Sequence, residues 1–184
     1  MKDNKGIEEK VELPESVEAT INWPSLKVKG PKGQLEREFK GSLLRFVSIE
    51  KEGGSIIIKS SSNRRKVKAL VGSMKAHIRN QIIGVTKGYT YKLKMHYIHF
   101  PMTMEIKGNQ VIVKNFLGER TLRKCTIVGK CKVENKKDEV TVTGTNKDDV
   151  AQTAASIENT CRLTGKDRRV FLDGIYITEK IVGE

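Results

Sequence analysis

The chain has 184 residues, and 35 Lys and Arg against 22 Asp and Glu give it a formal net charge of +13. This length allows one or two domains, and no stretch approaches the roughly 18 apolar residues that a membrane-spanning helix needs. The first residues, MKDNKGIEEKVELPE, are charged and lack an apolar core, so we expect no secretory signal and an intracellular protein.

The charge is distributed unevenly along the chain. Residues 1–18 hold six acids and three lysines, whereas the window between Glu52 and Glu105 holds ten basic residues and no acid. Basic patches without neutralising acids attract polyanions. Aromatic residues make up only 5% of the chain, too few to indicate a base-stacking platform for single strands.

The first half predicts a small sheet followed by one helix. Residues 1–16 are expected to form a flexible charged tail, and residues 17–100 a first unit. The segments SVEATIN, SLKVKG and QLEREF alternate apolar and polar residues as half-buried strands do, and LLRFVSIE and SIIIKS flank a turn at Glu52-Gly53-Gly54. YTYKLKMHYIHF (89–100) is predicted to be a long strand that closes this unit at Pro101.

A helix is predicted over about residues 64–83, beginning near Asn63. Its apolar residues recur at steps of three and four and form one stripe: Val67, Leu70, Val71, Met74, Ile78 and Ile82. Basic residues lie on a different stripe: Arg65, Lys68, Lys75 and Arg79. The sequence leaves two interpretations open for these side chains, a solvated helix face and a surface that faces a polyanion.

Residues 101–184 repeat the plan as a second unit. Strands are predicted in MTMEIK, QVIVKN, RTLRKCTIVG, KCKVEN and EVTVTG, and a helix over about 147–162 begins near Asn146. Asp148 and Asp149 favour the positive N-terminus of that helix. Its predicted buried stripe consists of Val150, Thr153, Ala154, Ile157 and Cys161, and IYITE forms a final strand.

Direct sequence similarity supports this duplication. Residues 21–33 (INWPSLKVKGPKG) match residues 106–118 (IKGNQVIVKNFLG) at a shift of 85, and residues 55–78 resemble residues 139–161 with a slip of one. The period exceeds the roughly 20–50 residues of solenoid repeats. The sequence therefore predicts an α+β fold: a tandem duplication of a small antiparallel-rich β-sheet packed on one α-helix.

The sequence gives little support for catalysis or for a metal site. It contains no phosphate-binding loop, zinc-protease motif or nucleophile elbow. The three cysteines lack zinc-ligand spacing, and His96 and His99 would point to opposite faces of a strand. We therefore expect no enzyme, no catalytic residues, no cofactor and no metal.

The segment GKDRRVFLDGIYITEK (165–180) combines a basic loop with a turn at Asp173-Gly174. A guanidinium presents a planar fork of donors that matches phosphate oxygens, so Arg168 and Arg169 are candidate phosphate ligands. A solvated, charged turn is the alternative for this loop. Asp167 is expected to shape the turn, and Phe171, Ile175 and Ile177 to pack in the core.

Four segments in the same order resemble the universal large-subunit ribosomal protein six family, called nine in eukaryotes. They are KVKGPKG (27–33), GVTKGYTYKLKMHYIHFP (84–101), KNFLGER (114–120) and GKDRRVFLDGIYITEK (165–180), and the last resembles the eukaryotic or archaeal branch. The resemblance implies a duplicated fold without enzymatic activity. It implies a structural constituent of the large ribosomal subunit in the cytoplasm, and a nucleolar stage of assembly if the protein is eukaryotic.

The resemblance also implies partners and site residues. The family binds large-subunit rRNA near the sarcin–ricin loop and the stalk base, where translational GTPases dock. Other ribosomal proteins of the stalk base are its neighbours, and it does not bind a membrane. The second unit is expected to make most of the rRNA contact, through Lys166, Arg168, Arg169, Lys180, Lys114, Asn115 and Arg120. Arg64, Arg65 and Lys68 of the first helix complete the candidate set.

Two other functions stay open on the residues alone. A free-standing nucleic-acid-binding regulator would need a base-reading helix or an aromatic sheet face, and neither is evident in the sequence. A protein–protein adaptor built on the two small sheets would bind RNA with little dependence on salt, whereas phosphate contacts predict a steep dependence.

Overall fold

The computed structural model describes residues 6–167 and 169–183. The chain divides into two compact units, with the boundary between Lys87 and Gly88. Each unit combines antiparallel sheets with one helix, which confirms the predicted α+β class and the duplication. Neither of the two helices is long and apolar enough to cross a membrane, among the residues described.

The described residues of the first unit form six strands and a long helix. Its elements are β1 (Ile7–Glu12), β2 (Glu18–Asn22), β3 (Ser25–Gly30), β4 (Gly33–Glu38), a 3-10 turn (Ser42–Phe46), β5 (Val47–Glu52), β6 (Ser55–Ser60) and α1 (Arg65–Thr86). The strands form two antiparallel sheets in the orders β2-β3-β4 and β1-β6-β5. Helix α1 thus extends three residues beyond the predicted end, and its N-cap is Arg64 instead of Asn63.

The apolar stripe of α1 lies in the core of the first unit. Val67, Val71, Met74 and Ile78 are buried, as predicted, while Leu70 is half-buried at the edge. They pack with apolar residues of both sheets, including Leu26, Val28, Ile56 and Ile58. Burial of each large apolar side chain is worth about 1.5–3 kcal/mol, so this stripe fixes α1 against the sheets.

Seven strands and a shorter helix form the part of the second unit that the structure describes. Its elements are β7 (Tyr89–His96), β8 (Thr103–Lys107), β9 (Gln110–Lys114), a 3-10 turn (Phe116–Gly118), β10 (Arg123–Thr126), β11 (Lys132–Lys136), β12 (Glu139–Gly144), α2 (Lys147–Thr160) and β13 (Gly174–Val182). The sheets are antiparallel, in the orders β10-β9-β8 and β11-β12-β7-β13. The Asn146 side chain accepts a hydrogen bond from the Asp148 N–H, and the predicted stripe of α2 is buried.

The two units share one order of elements: a first strand, a three-stranded meander, a hairpin and a helix. β1 pairs with β6 as β7 pairs with β12. The N–H of Leu13 donates to the carbonyl of Gly54 at 2.9 Å, and the N–H of Met95 donates to that of Asp138 at 2.7 Å, at matching positions. Strand β13 is an addition to the second unit with no counterpart among the described strands of the first.

Two predicted boundaries need correction. Residues 89–100 were assigned to the first unit, but β7 pairs with β12 and β13 and so begins the second. Residues 1–16 were expected to be a tail, but Ile7–Glu12 forms β1, paired along its length with β6. Four of the six β1 residues are charged, so the strand pattern is weak, and pairing with the buried strand β6 determines the structure.

Candidate nucleic-acid interface

Asp167 organises the loop between α2 and β13. Its carboxylate oxygen Oδ1 accepts a hydrogen bond from the N–H of Arg169 at 2.9 Å. Its carbonyl accepts from the N–H groups of Val170 at 3.2 Å and Phe171 at 3.0 Å. Asp167 therefore shapes the turn, as predicted, and leaves the side chains of Lys166, Arg169 and Val170 exposed. The third predicted cation, Arg168, lies outside the described residues.

The buried carboxylate of Asp173 fixes this loop to the segment after β7. Its Oδ1 accepts from the N–H groups of Ile98 (2.9 Å) and His99 (3.1 Å), and its Oδ2 lies 2.7 Å from His99 Nδ1. Burial by itself would raise the pKa of Asp173, but these hydrogen bonds outweigh it and lower the pKa to about 2. The turn at Asp173-Gly174 was predicted to be structural, and the structure adds its partner, His99.

An aromatic contact continues from this anchor to the basic loop. The ring of His99 stacks on Phe171, with centroids 5.1 Å apart and an interplanar angle of 30°. The ammonium of Lys166 lies 4.7 Å from the centroid of Phe171. Phe171 is thus half-buried between polar partners, whereas Ile175 lies in the core as predicted. Lys166 is positioned by this contact, which is worth about 0.5–1 kcal/mol at an exposed site.

Exposed apolar side chains lie beside these cations. Val170 is 62% exposed and Ile98 is 60% exposed, and Phe100 and Leu172 are close to half-exposed. The hydrogen bonds of Asp173 hold both chain segments together, so these side chains and Lys166 and Arg169 form one surface, which we call the loop surface. It offers positive charge next to aliphatic groups and one aromatic ring, a combination suited to phosphates and to contact with riboses or an unstacked base.

Arg123 connects the 3-10 turn of the second unit to the end of α2. Its guanidinium donates to both carboxylate oxygens of Glu119, at 2.8 and 2.7 Å, and to the carbonyls of Thr160 at 2.9 Å and Arg162 at 3.3 Å. It also lies 4.3 Å from the ring centroid of Phe116. Arg123 was not recognisable from the sequence, since a Glu and an Arg four residues apart outside a helix carry no local signal.

Glu119, next to Arg120 in the turn after β9, is a partner of Arg123. The hydrogen bond from Arg123 is the main cause that lowers the pKa of Glu119, and the charge of Lys166 contributes to the same shift. The Arg120 side chain is exposed, and no described residue pairs with it. Through Arg123, which donates to Glu119 and to the carbonyl of Arg162, the turn that carries Arg120 is joined to the start of the segment that leads into the basic loop.

Two predicted RNA ligands, Lys114 and Asn115, also make polar contacts within the unit. Lys114 forms an ion pair with Glu105, and this hydrogen bond lowers the pKa of Glu105. Asn115 has a left-handed backbone conformation (φ 56°, ψ 32°), and its side-chain amide donates to the carbonyl of Pro101 at 2.9 Å. Lys180 is exposed on β13, 5.8 Å from the ring centroid of Tyr91, and no described contact joins it to the loop surface.

The predicted cations of the first unit surround the N-terminus of α1. Arg64, Arg65 and Lys68 are exposed, and the first turn contains no acid. Cations are unfavourable beside the positive end of a helix dipole, which attracts anions instead. Helix α2 shows the favourable arrangement, with Asp148 and Asp149 in its first turn. The N-terminus of α1 therefore has an unneutralised positive field.

Comparison with known proteins gives one consistent family. The family described as "Ribosomal protein L6" matches residues 13–88 and 100–174. "Large ribosomal subunit protein uL6" of Aeropyrum pernix is 45% identical over 176 residues, covering 96% of both chains. The protein of the same name from Methanobrevibacter smithii is 44% identical over 174 residues, covering 95% of this chain and 96% of the relative. That of Methanocella arvoryzae is 43% identical over 171 residues, covering 92% and 95%.

Proposed function

The chain belongs to the ribosomal protein L6 family, archaeal branch, and we propose that it binds large-subunit rRNA chiefly through the loop surface of its second unit. Members of this family are structural constituents of the large ribosomal subunit and not enzymes. The proposed ligands of the rRNA backbone are Lys166, Arg168 and Arg169, with Arg120 from the neighbouring turn.

The observation that carries this proposal is the rigid support of exposed cations. Asp167 closes the turn that presents Arg169, and the Phe171 ring holds Lys166. The buried Asp173 anchors the loop to residues 98–99. Cations on a fixed frame lose less side-chain freedom on binding than cations on a mobile loop. Guanidinium groups then bind phosphate in a bidentate manner, and adjacent apolar groups contact bases or riboses.

Lys180 and the N-terminus of α1 are secondary contacts in this proposal. Both present exposed cations without a described acidic partner, but neither has a frame comparable to that of the loop. Lys114 and Asn115 are proposed only as residues that shape the turn after β9, because their polar groups are engaged within the unit.

The proposed location in the subunit follows from family membership. We place the chain near the sarcin–ricin loop and the stalk base, next to other ribosomal proteins of that base, where it supports the region in which translational GTPases dock. The proposed compartment is the cytoplasm, on the ribosome. The nucleolar stage was expected only for a eukaryotic protein, and the archaeal relatives give it no support.

A charge-matched comparison tests the site. Lys166, Arg168 and Arg169 are replaced together by Ala, and in the control Lys124, Lys130 and Lys132, exposed cations of the same unit, are replaced by Ala. Both variants lose three charges, so a general field effect is equal in the two. We expect the first variant to bind large-subunit rRNA at least about tenfold more weakly, with a reduced salt slope, and the control to change much less.

Incorporation into large subunits, measured on sucrose gradients after a high-salt wash, gives the second readout. We expect depletion of the loop variant from the subunit peak and retention of the control. Equal incorporation of the two variants would overturn the assignment of the loop surface, while family membership would stand.

A further inference from the structure

Strand β1 has an open edge where its counterpart in the second unit is covered. β7 has β12 on one side and β13 on the other, whereas β1 pairs only with β6 among the described strands. The N–H of Leu13 points towards the β5–β6 hairpin. Because antiparallel strands alternate the direction of their hydrogen bonds, the N–H groups of Glu8, Lys10 and Glu12 point to the open edge.

An open groove lies between this edge and helix α1. It has a volume of about 330 Å³ and is lined by Lys10, Val11, Glu12, Lys75 and Arg79. Val11 is in the apolar core cluster and forms the apolar part of the groove. The groove thus combines free backbone hydrogen-bonding groups, an apolar floor and a polar helix wall, which are the elements required for addition of a strand.

The second unit shows what fills the equivalent space. Alignment of the buried helix stripes, Val67 with Val150 and Met74 with Ile157, makes Lys75 the counterpart of Glu158. In the second unit β13 packs beside α2, Ile175 is buried, and the N–H of Ile177 donates to Glu158 Oε1 at 3.3 Å.

The charge of the helix wall differs between the units. This difference indicates what kind of segment can bind in the groove beside β1. Glu158 accepts a hydrogen bond from the backbone of β13, but Lys75 in its place can only donate, and it pairs with Glu9 at 2.7 Å. Arg79, the counterpart of Arg162, is exposed, and no described acid pairs with it. An incoming segment with a carboxylate near Arg79 would complement this wall, whereas the acids of β1 disfavour RNA.

We propose that the open edge of β1 binds an extended segment of a partner protein by strand addition. An apolar side chain of that segment packs on Val11, and an acidic side chain pairs with Arg79. This inference does not depend on the rRNA site, because all of its residues belong to the first unit.

The test uses the full chain and a labelled peptide with the sequence of residues 173–182, DGIYITEKIV. In the second unit this segment forms the strand β13. Its first residue, Asp173, is the acid expected near Arg79. Binding is measured by fluorescence anisotropy, and its position by amide hydrogen exchange. The peptide is not expected to replace the chain's own β13, because an intramolecular strand has a high effective concentration. We expect slower exchange at the amides of Glu8, Lys10 and Glu12.

Two variants with matched controls separate strand addition from other binding. Lys10→Pro removes an outward N–H on an edge strand, where proline is tolerated, while Lys10→Ala removes the same charge and keeps the N–H. We expect Lys10→Pro to weaken peptide binding about tenfold or more, and Lys10→Ala by less than about twofold. Arg79→Glu should weaken it several-fold, and Arg79→Ala less.

Thermal unfolding of each variant establishes that it is folded. If Lys10→Pro is unfolded, the Arg79 pair and the exchange data carry the test. Absence of peptide binding, affinity that is unchanged by Lys10→Pro and by Arg79→Glu, or slower exchange confined to the second unit would overturn the proposal. Protection of the β1 amides by large-subunit rRNA and not by the peptide would also overturn it, since the edge would then be an RNA contact.

Discussion

Replacement of Asp173 by Asn should destabilise the second unit at neutral pH by about 2 kcal/mol, and this penalty should disappear at low pH. The Asp173 side chain is buried, and its carboxylate accepts three hydrogen bonds from His99 and Ile98. Asn has the same shape and keeps one acceptor oxygen, but it loses the negative charge. Asp173→Ala, which loses every acceptor and leaves donors unpaired, should cost more, about 3 kcal/mol.

The pH dependence follows from the pKa of Asp173. The folded pKa of about 2 lies below the ordinary value of 3.8. A difference of somewhat under two units corresponds to about 2 kcal/mol. Because the folded pKa is depressed, this stabilisation is fully present above about pH 4 and is lost as the pH falls towards 2.

Urea unfolding of wild type and Asp173→Asn at several pH values between 7 and 2.5 measures this difference. Amide hydrogen exchange in β7 and β13 reports on the second unit separately, since the two units need not unfold together. Glu139→Gln, at an exposed carboxylate on β12 of the same unit, is the control and should lie within about 0.5 kcal/mol of wild type. A difference between wild type and Asp173→Asn that stays constant from pH 7 to 2.5 would refute the proposed role of the charge.

Three further variants test the packing. Met74→Asp should unfold the first unit, because it buries an unpaired charge at a site that is 1% exposed. A variant that melts like the wild type would show that Met74 is not on the buried face of α1. Gly30→Ala should cost about 1–3 kcal/mol in urea unfolding, since its Cβ would lie 2.7 Å from a methyl group of Val85; no loss of stability would contradict the close approach. Arg123→Ala should lower the stability of the second unit by about 2 kcal/mol and weaken rRNA binding, whereas an effect no larger than that of Lys124→Ala would argue against its anchoring role.

Much of the site could be located from the sequence but not assigned in detail. The basic segment 165–169 and the turn at Asp173-Gly174 were recognisable, because charged residues followed by Asp-Gly are a local signal. The partners of that turn were not, since His99 is 74 residues from Asp173 and no local pattern connects them. The contacts of Lys114 with Glu105 and of Asn115 with Pro101 are equally invisible from sequence alone.

The duplication, the α+β class and the buried faces of both helices follow from patterns within the sequence. Burial of apolar side chains requires the periodicity that marks the helix faces and the strands, and similarity between the two halves marks the duplication. Where each unit begins depends on the tertiary structure. Strand β1 is highly charged, and β7, although recognisable as a strand, gives no local sign of the unit to which it belongs. Their assignment depends on pairing with β6 and β12, and pairing partners far apart in sequence leave no local trace.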